Sequence, residues 1–197
     1  MPPLIHLPSA AGALGVLALH MPAFAAPLAA QPAAPAEHRF PNITAPALSG
    51  RKFSLPQDLD GEVNLVLVAF ARQQQAMVDG WMPTAKSLAA ELPGLRYYEM
   101  PTIGRGFVLI RPIISNGMRN GVTAPADREA TITLYTNVDS FRRALALPSD
   151  DTVYALLLDR AGVVRWRGEG TFTEAQGASL RAAAMRLLEP TAPTTAR

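Results

Sequence analysis

Apolar residues repeat with two different periods along the chain after residue 40, and the changes between them predict alternating strands and helices. Residues 63–70 form a nearly continuous β-branched and apolar run, which is typical of a central strand covered on both faces. Residues 76–92 have a helical period, and Pro83 inside them predicts a kink or a restart. The same patterns predict strands over residues 95–100, 131–136, 153–158 and 163–167, and helices over residues 106–120, 138–147 and 173–188.

This order predicts an α/β fold in which a mixed central sheet carries helices on both faces. A hairpin over residues 48–55 precedes the first long strand, with Phe53 and Leu55 on one face. Asn137 is the expected N-cap of the helix that follows it. Residues 159–162 form the turn of the clearest hairpin in the sequence.

The N-terminal region contains no charged side chain before Glu37. An apolar stretch followed by Ala23-Phe24-Ala25 predicts a signal peptide over residues 1–25, with an uncleaved membrane anchor or a plain Ala/Pro tail as alternatives. We therefore expect an exported, periplasmic protein, tethered to the inner membrane if the N-terminus is not cleaved. An Ala/Pro-rich linker over residues 26–41, a single domain over residues 42–189 and a disordered tail over residues 190–197 complete the predicted organisation.

Composition excludes several classes of chemistry. The chain has no Cys, which excludes disulfides, thiolate nucleophiles and Cys-ligated metals. All three His precede residue 40, so a Ser-His-Asp triad or a His-rich zinc site is not expected in the folded region. We expect no metal and no cofactor. A formal charge of +2 argues against a dedicated nucleic-acid binder.

Two basic segments are candidate binding sites. Arg72, Gln73, Gln74 and Gln75 stand at a predicted helix start, where three amides and a cation could hold an anion or a peptide carbonyl. The alternative is a solvated first turn of the helix.

The second segment is the helix predicted over residues 106–120, with an interruption at Pro112. Arg111 and Arg119 share one face of it with Ser115, and the stripe of Phe107, Ile110, Ile114 and Met118 is expected on the opposite face. Such a helix can dock a partner or an anionic membrane surface. Alternatively, the apolar stripe packs on the sheet and the arginines stay in water. The aromatic residues Trp81, Trp166, Tyr97 and Tyr98 suit either a core or a recognition surface.

Residues 50–70 and 156–166 resemble the thioredoxin-like superfamily, namely the opening hairpin with its central strand and the late hairpin of periplasmic thiol-disulfide oxidoreductases and peroxiredoxins. In those relatives the central strand leads into a Cys-x-x-Cys at a helix N-terminus, which stabilises a thiolate. Here that place holds residues 72–75, and Val153 stands where the family has its cis-proline. The resemblance therefore implies the fold without thiol-disulfide oxidoreductase or peroxidase activity.

A narrower resemblance rests on Tyr97-Tyr98-Glu99-Met100-Pro101, on the Arg111-Pro112 segment leading to Arg119, and on the ending Arg165-Trp166-Arg167-Gly168-Glu169-Gly170. Together these resemble the thioredoxin-like ATPase assembly factor family. Its mitochondrial members help to assemble the membrane sector of the F-type ATP synthase, acting on the proton-channel subunit. The resemblance implies a protein-binding role like that of a chaperone.

Two functions follow as hypotheses. The first is a redox-inactive, non-enzymatic assembly or folding factor whose partner is a subunit of a membrane protein complex, with peripheral membrane contact as an additional expectation. The alternative is a cysteine-independent enzyme, or a module that binds anionic ligands. Convergence of Arg72, Arg111 and one carboxylate in a concave site would favour the enzyme.

Overall fold

The computed structural model describes residues 37–189. The predicted signal peptide, residues 26–36 of the predicted linker and the predicted C-terminal tail lie outside these residues. Within the described part, no helix is both long enough and apolar enough to cross a bilayer. Phe40, close to the predicted start of the domain, is already buried.

Two sheets make up the β-structure of the described residues. An antiparallel hairpin pairs β1 (Ile43–Pro46) with β2 (Lys52–Leu55). The strands of the second sheet are β3 (Val63–Ala69), β4 (Leu95–Gly104), β5 (Leu134–Thr136), β6 (Tyr154–Asp159) and β7 (Val164–Glu169). Their order is β5-β4-β3-β6-β7, in which β3 and β5 run parallel to β4, whereas β6 is antiparallel to both β3 and β7. The predicted mixed sheet is confirmed.

Most helices lie where the sequence predicts them. Asn137 caps the helix Val138–Ala144 as predicted, because its Oδ1 accepts a hydrogen bond of 2.8 Å from the backbone N–H of Ser140. Short 3-10 helices cover Arg72–Gln74 and Arg105–Ile110. The α-helices are α1 (Gln75–Glu91), α2 (Arg111–Gly121), α3 (Pro125–Ala130), α4 (Val138–Ala144) and α5 (Glu174–Leu188).

Of the two alternatives for Pro83, the restart is wrong, because α1 runs through the proline with buried residues such as Trp81 and Ala85 on both sides of it. The interruption predicted at Pro112 is confirmed, since a 3-10 helix is followed by α2 with Pro112 in its first turn. Helix α3 has no counterpart in the sequence prediction.

The core has two layers, one on each side of the five-stranded sheet. One face of the sheet is covered by α1 and α5, and the other by the β1–β2 hairpin and α4. Helices on both faces are therefore confirmed. All seven residues of β3 are buried, as expected of a strand enclosed on both sides.

Candidate functional site

The side chain of Gln74 holds the turn before α1 in place through hydrogen bonds to the backbone. Gln74 is 4% exposed, and its Oε1 accepts hydrogen bonds from the backbone N–H groups of Phe70 at 2.7 Å and Ala71 at 3.3 Å. Its Nε2 donates to the carbonyl of Asp150 at 2.7 Å. The amide thus joins the start of α1 to the loop before β6, and it is not free to hold a ligand.

The other members of this candidate site face outward. Arg72, Gln73 and Gln75 are exposed, and Gln75 Nε2 donates to Asp79 at 3.0 Å and to Glu99 at 3.3 Å. Arg72 and Gln75 also line a large concave surface.

That surface is a long groove of about 1160 Å³ between α1 and the α2–α3 region, and we call it the α1–α2 groove. Alternate residues of β4, which point to the same face of the sheet, form its floor. One wall comes from α1 and the other from α2 and the segment that follows it. Its principal lining residues are Arg72, Gln75, Asp79, Met82, Lys86, Tyr97, Glu99, Pro101, Ile113, Ile114, Gly117, Met118 and Asp127.

A polar chain crosses one end of the α1–α2 groove. Asp127 accepts hydrogen bonds from the hydroxyl of Tyr97 at 3.0 Å and from Lys86 Nζ at 2.9 Å. Burial, reinforced by the bond to Asp127, raises the pKa of Tyr97 to about 12. The pKa of Asp127 is lowered, chiefly by the hydrogen bond from Lys86. At neutral pH this end of the groove holds a neutral phenol and an ion pair.

Glu99 is the carboxylate on the floor of the groove. Burial raises its pKa, and the negative charges of Asp79 and Asp127 raise it further, while the hydrogen bond from Gln75 opposes both effects. Its role was not predicted from the sequence, although an acidic residue between the buried neighbours Tyr98 and Met100 was a usable signal.

Helix α2 docks on the body through the face that carries its arginines. The side chains of Arg111, Ile114, Ser115, Met118 and Arg119 are half-buried at i, i+3, i+4, i+7 and i+8. The placement of Ile114 and Met118 opposite the arginines is wrong, because residues three apart share a side of a helix.

Both arginines make specific contacts with the body of the domain. The Arg111 guanidinium lies 5.0 Å from the centre of the Tyr135 ring. Arg119 Nε donates to the carbonyl of Leu48 at 2.8 Å. Together with Ser115 they line a separate hollow of about 300 Å³ beside the β1–β2 turn, which we call the arginine hollow.

The arrangement that would favour an enzyme is not formed. Arg72 and Glu99 both line the α1–α2 groove, whereas Arg111 lines the separate arginine hollow. Within residues 37–189, no group of His, Cys, Asp or Glu is placed to hold a metal ion.

The Trp-Arg-Gly-x-Gly ending has a structural explanation. Trp81 is fully buried, and its Nε1 donates to the carbonyl of Gly170 at 2.9 Å. A Cβ on Gly168 would lie 2.6 Å from the Trp166 ring and 2.8 Å from the Trp81 ring, and Gly170 has a φ of +76°. We call these residues and Phe172, whose ring lies 5.2 Å from that of Trp81, the tryptophan corner.

The four aromatic residues considered above differ in burial, so that some belong to the core and one lies on a candidate recognition surface. Trp81 and Tyr98 are core residues, and Trp166 is half-buried with its Nε1 donating to Ser179 at 3.0 Å. Tyr97 is half-buried and forms part of the groove.

Solved structures share this architecture. BsSco, a member of the Sco family of cytochrome c oxidase assembly proteins, is similar with a TM-score of 0.54 at 15% identity, over 76% of this chain and 95% of that chain. A thiol:disulfide interchange protein from Bacteroides sp. has a TM-score of 0.52 at 15% identity, over 81% and 93%. The thioredoxin domain of a thiol-disulfide oxidoreductase from Bacteroides vulgatus gives 0.51 at 16%, over 75% and 96%. The predicted thioredoxin-like fold is confirmed.

The family is shown by the sequence itself. No curated protein matches the chain. The family described as ATP10 protein matches residues 20–187, which include every strand and almost every helical residue described above. This match confirms the narrower resemblance to ATPase assembly factors. The chain belongs to the ATP10 protein family.

Proposed function

We propose that this protein is a redox-independent assembly or folding factor that holds a segment of a membrane-complex subunit in the α1–α2 groove. Membership of the ATP10 family supports the membrane sector of the ATP synthase as that complex. The absence of Cys supports a mechanism based on binding, because neither a mixed disulfide nor a thiolate can form.

The groove is the observation that carries this proposal. It opens beside the helix start at which thioredoxin-like oxidoreductases hold their Cys-x-x-Cys, and here Gln74 closes that turn internally. Its volume of about 1160 Å³ is above the usual range of about 300 to 1000 Å³ for small-molecule pockets, and its lining runs from Arg72, just before α1, to Lys86 within α1. An elongated surface of this kind suits a peptide segment better than a compact metabolite.

The lining of the groove matches a client that is largely apolar with a few polar groups. Met82, Ile113 and Ile114 offer apolar contact on facing walls. Glu99 and Arg72 offer charged groups near one end, where they can pair with polar side chains or free backbone groups of the client. Burial of apolar surface would supply affinity, and these polar groups would set the register.

The proposal includes export. The uncharged N-terminus, with an apolar stretch and an Ala-Phe-Ala triplet, supports delivery to the periplasm, either by a cleaved signal or by a membrane tether. Fractionation of cells that make the full chain, with N-terminal sequencing of the product, tests this part. A cytoplasmic product with an intact N-terminus would contradict it.

Blocking the groove tests client binding directly. Gly117 lines the groove, and a Cβ there meets nothing within 4 Å, so Gly117→Phe fills the groove without disturbing the core. Asn116→Phe, on the exposed side of the same helix, is the matched control. Both variants and the wild type are purified from native membranes after mild crosslinking, and co-purifying proteins are identified by mass spectrometry.

We expect the wild type and Asn116→Phe to capture subunits of the ATP synthase membrane sector, and Gly117→Phe to lose them at least tenfold. Equal capture by both variants would exclude the groove as the binding site. Absence of these subunits from every sample would contradict the assembly function itself.

A further inference from the structure

The 3-10 helix before α2 and the first turn of α2 expose a row of large apolar side chains. Leu109 is 92% exposed and Ile113 is 72% exposed. Phe107, Val108 and Ile110 are each at least 44% exposed, so five large apolar residues lie within seven positions. Soluble domains seldom leave such a run in water, because contiguous apolar surface marks a contact site. We call residues 107–113 the apolar ridge.

Within the sequence segment that carries the apolar ridge, the charged side chains are all basic. No acidic residue occurs from Pro101 to Ala126, whereas Arg105, Arg111 and Arg119 fall within this stretch. Arg105 is exposed immediately before the ridge. Such a segment is electrostatically complementary to an anionic surface and is attracted to it over about a Debye length.

The arginine hollow lies on the same segment and is suited to phosphate. No carboxylate lines it, and Arg111, Ser115 and Arg119 face it from one side of α2. Arg119 uses only its Nε for the Leu48 carbonyl, and Arg111 rests on the Tyr135 ring without a hydrogen bond to any described residue. Their terminal nitrogens are therefore available to bind phosphate oxygens bidentately.

We propose that residues 105–119 form a docking site for a bilayer rich in anionic phospholipid. Leu109 and Ile113 enter the boundary between headgroups and acyl chains, and the arginine hollow takes a headgroup phosphate. A short segment with an apolar edge and basic residues is the arrangement that lies in the plane of a membrane interface. A protein partner would need acidic groups to match the same arginines, whereas an anionic bilayer presents phosphates at every position.

Docking in this way also orients the groove. Ile113 belongs both to the apolar ridge and to the wall of the α1–α2 groove. Bringing the ridge to the bilayer therefore brings one wall of the groove to the membrane surface. The membrane site rests on residues other than the Gly117 position that tests client binding, so either proposal can fail without the other.

Vesicle flotation tests the membrane site with the purified full chain. Vesicles of phosphatidylcholine alone are compared with vesicles that contain phosphatidylglycerol. Because the apolar N-terminus is present in every sample, the comparison is between variants. Leu109→Ser/Ile113→Ser removes apolar contact, and Met185→Ser is the matched control at an exposed apolar residue of α5. Arg111→Gln/Arg119→Gln removes charge, and Arg186→Gln on α5 is its control.

We expect the wild type to prefer anionic vesicles and to lose that preference as salt is raised. Leu109→Ser/Ile113→Ser should weaken binding roughly a hundredfold, about tenfold for each exposed apolar residue removed. Arg111→Gln/Arg119→Gln should abolish the preference for anionic over neutral vesicles, and both controls should bind like the wild type. Equal binding by Leu109→Ser/Ile113→Ser and the wild type, or no preference of the wild type for phosphatidylglycerol, would overturn the proposal.

Discussion

The tryptophan corner and the α2 segment, by which we mean residues 105–121, differ in how deeply their side chains are buried. At the corner, Gly168 is covered by two indole rings and Trp81 is fully buried. Helix α2 has no fully buried residue, and the ridge before it places Leu109 in water. Both regions contain residues that carry the family resemblance. The corner residues pack in the core, whereas α2 contacts the body of the domain only through half-buried side chains such as Arg119.

The contrast separates two reasons for a family motif. The Trp-Arg-Gly-x-Gly ending is needed because two rings and a left-handed glycine fit together at one place, which concerns stability. The residues of α2 contribute little to the core, which fits the binding roles that we propose for this part of the domain. Substitutions at the corner should therefore reduce stability, and substitutions on α2 should reduce binding.

The largest effect is expected from Gly168→Ala. The added methyl group would lie under 3 Å from both indole rings, and overpacking of this kind costs about 3 kcal/mol of unfolding free energy. Urea denaturation followed by Trp fluorescence measures it. Gly117→Ala on α2 is the matched control, because its methyl group meets no neighbour and alanine favours a helix by about 1 kcal/mol. Equal stability of the two variants would remove the contrast between the regions.

An intermediate effect is expected from Gln74→Ala. The backbone N–H of Phe70 and the carbonyl of Asp150 would both lose a buried partner, which costs about 1 to 3 kcal/mol. The exposed neighbour provides the control, since Gln73→Ala should change stability by less than about 0.5 kcal/mol. Hydrogen exchange of the Phe70 amide should accelerate in the first variant only. If Gln74→Ala is as stable as Gln73→Ala, the hydrogen bonds of Gln74 do not contribute to the stability of the domain.

The smallest effect is expected from Glu99→Gln, and it depends on pH. Because the pKa of Glu99 is raised in the folded state, its ionisation opposes folding once the pH exceeds the unfolded value of about 4.3. The cost is absent below that value and complete above the folded pKa. Glu99→Gln should therefore gain thermal stability relative to the wild type as the pH rises from about 4 to about 8, and the exposed Glu169→Gln should not. A constant difference across this range would show that Glu99 is not destabilised by burial.

Most of the fold could be predicted from the sequence because its main strands are distinctive. Strand β3 is apolar on both faces and the β6–β7 hairpin has a clear turn, so local pattern and burial agree. The interruption at Pro112 could be predicted because proline is unfavourable inside a helix, whereas α3 could not, since a short helix gives a weak periodic signal. The restart predicted as one alternative at Pro83 does not occur, because packing of α1 on the sheet overrides the local cost of proline.

The site was harder to predict because its contacts join distant parts of the chain. Gln74 looks like a polar residue of a first turn, and its burial depends on a carbonyl 76 residues further on. The face that α2 presents to the body depends partly on the contact of Arg119 with Leu48, 71 positions earlier. The sequence indicates which side chains share a helix face, but the neighbour that this face meets is fixed only by the tertiary fold.

Two features limit access to the edges of the five-stranded sheet, which would matter for the client-binding role proposed above. Along β7, the backbone N–H of Val164 donates to the carbonyl of His38 at 2.8 Å, and Arg39 forms a bridge with Val163. At the other edge, β5 has only three residues and Arg111 lies over Tyr135. The start of one edge strand is already paired and the other edge strand is short, which limits the addition of an apolar client to the sheet and so opposes co-aggregation of the two chains.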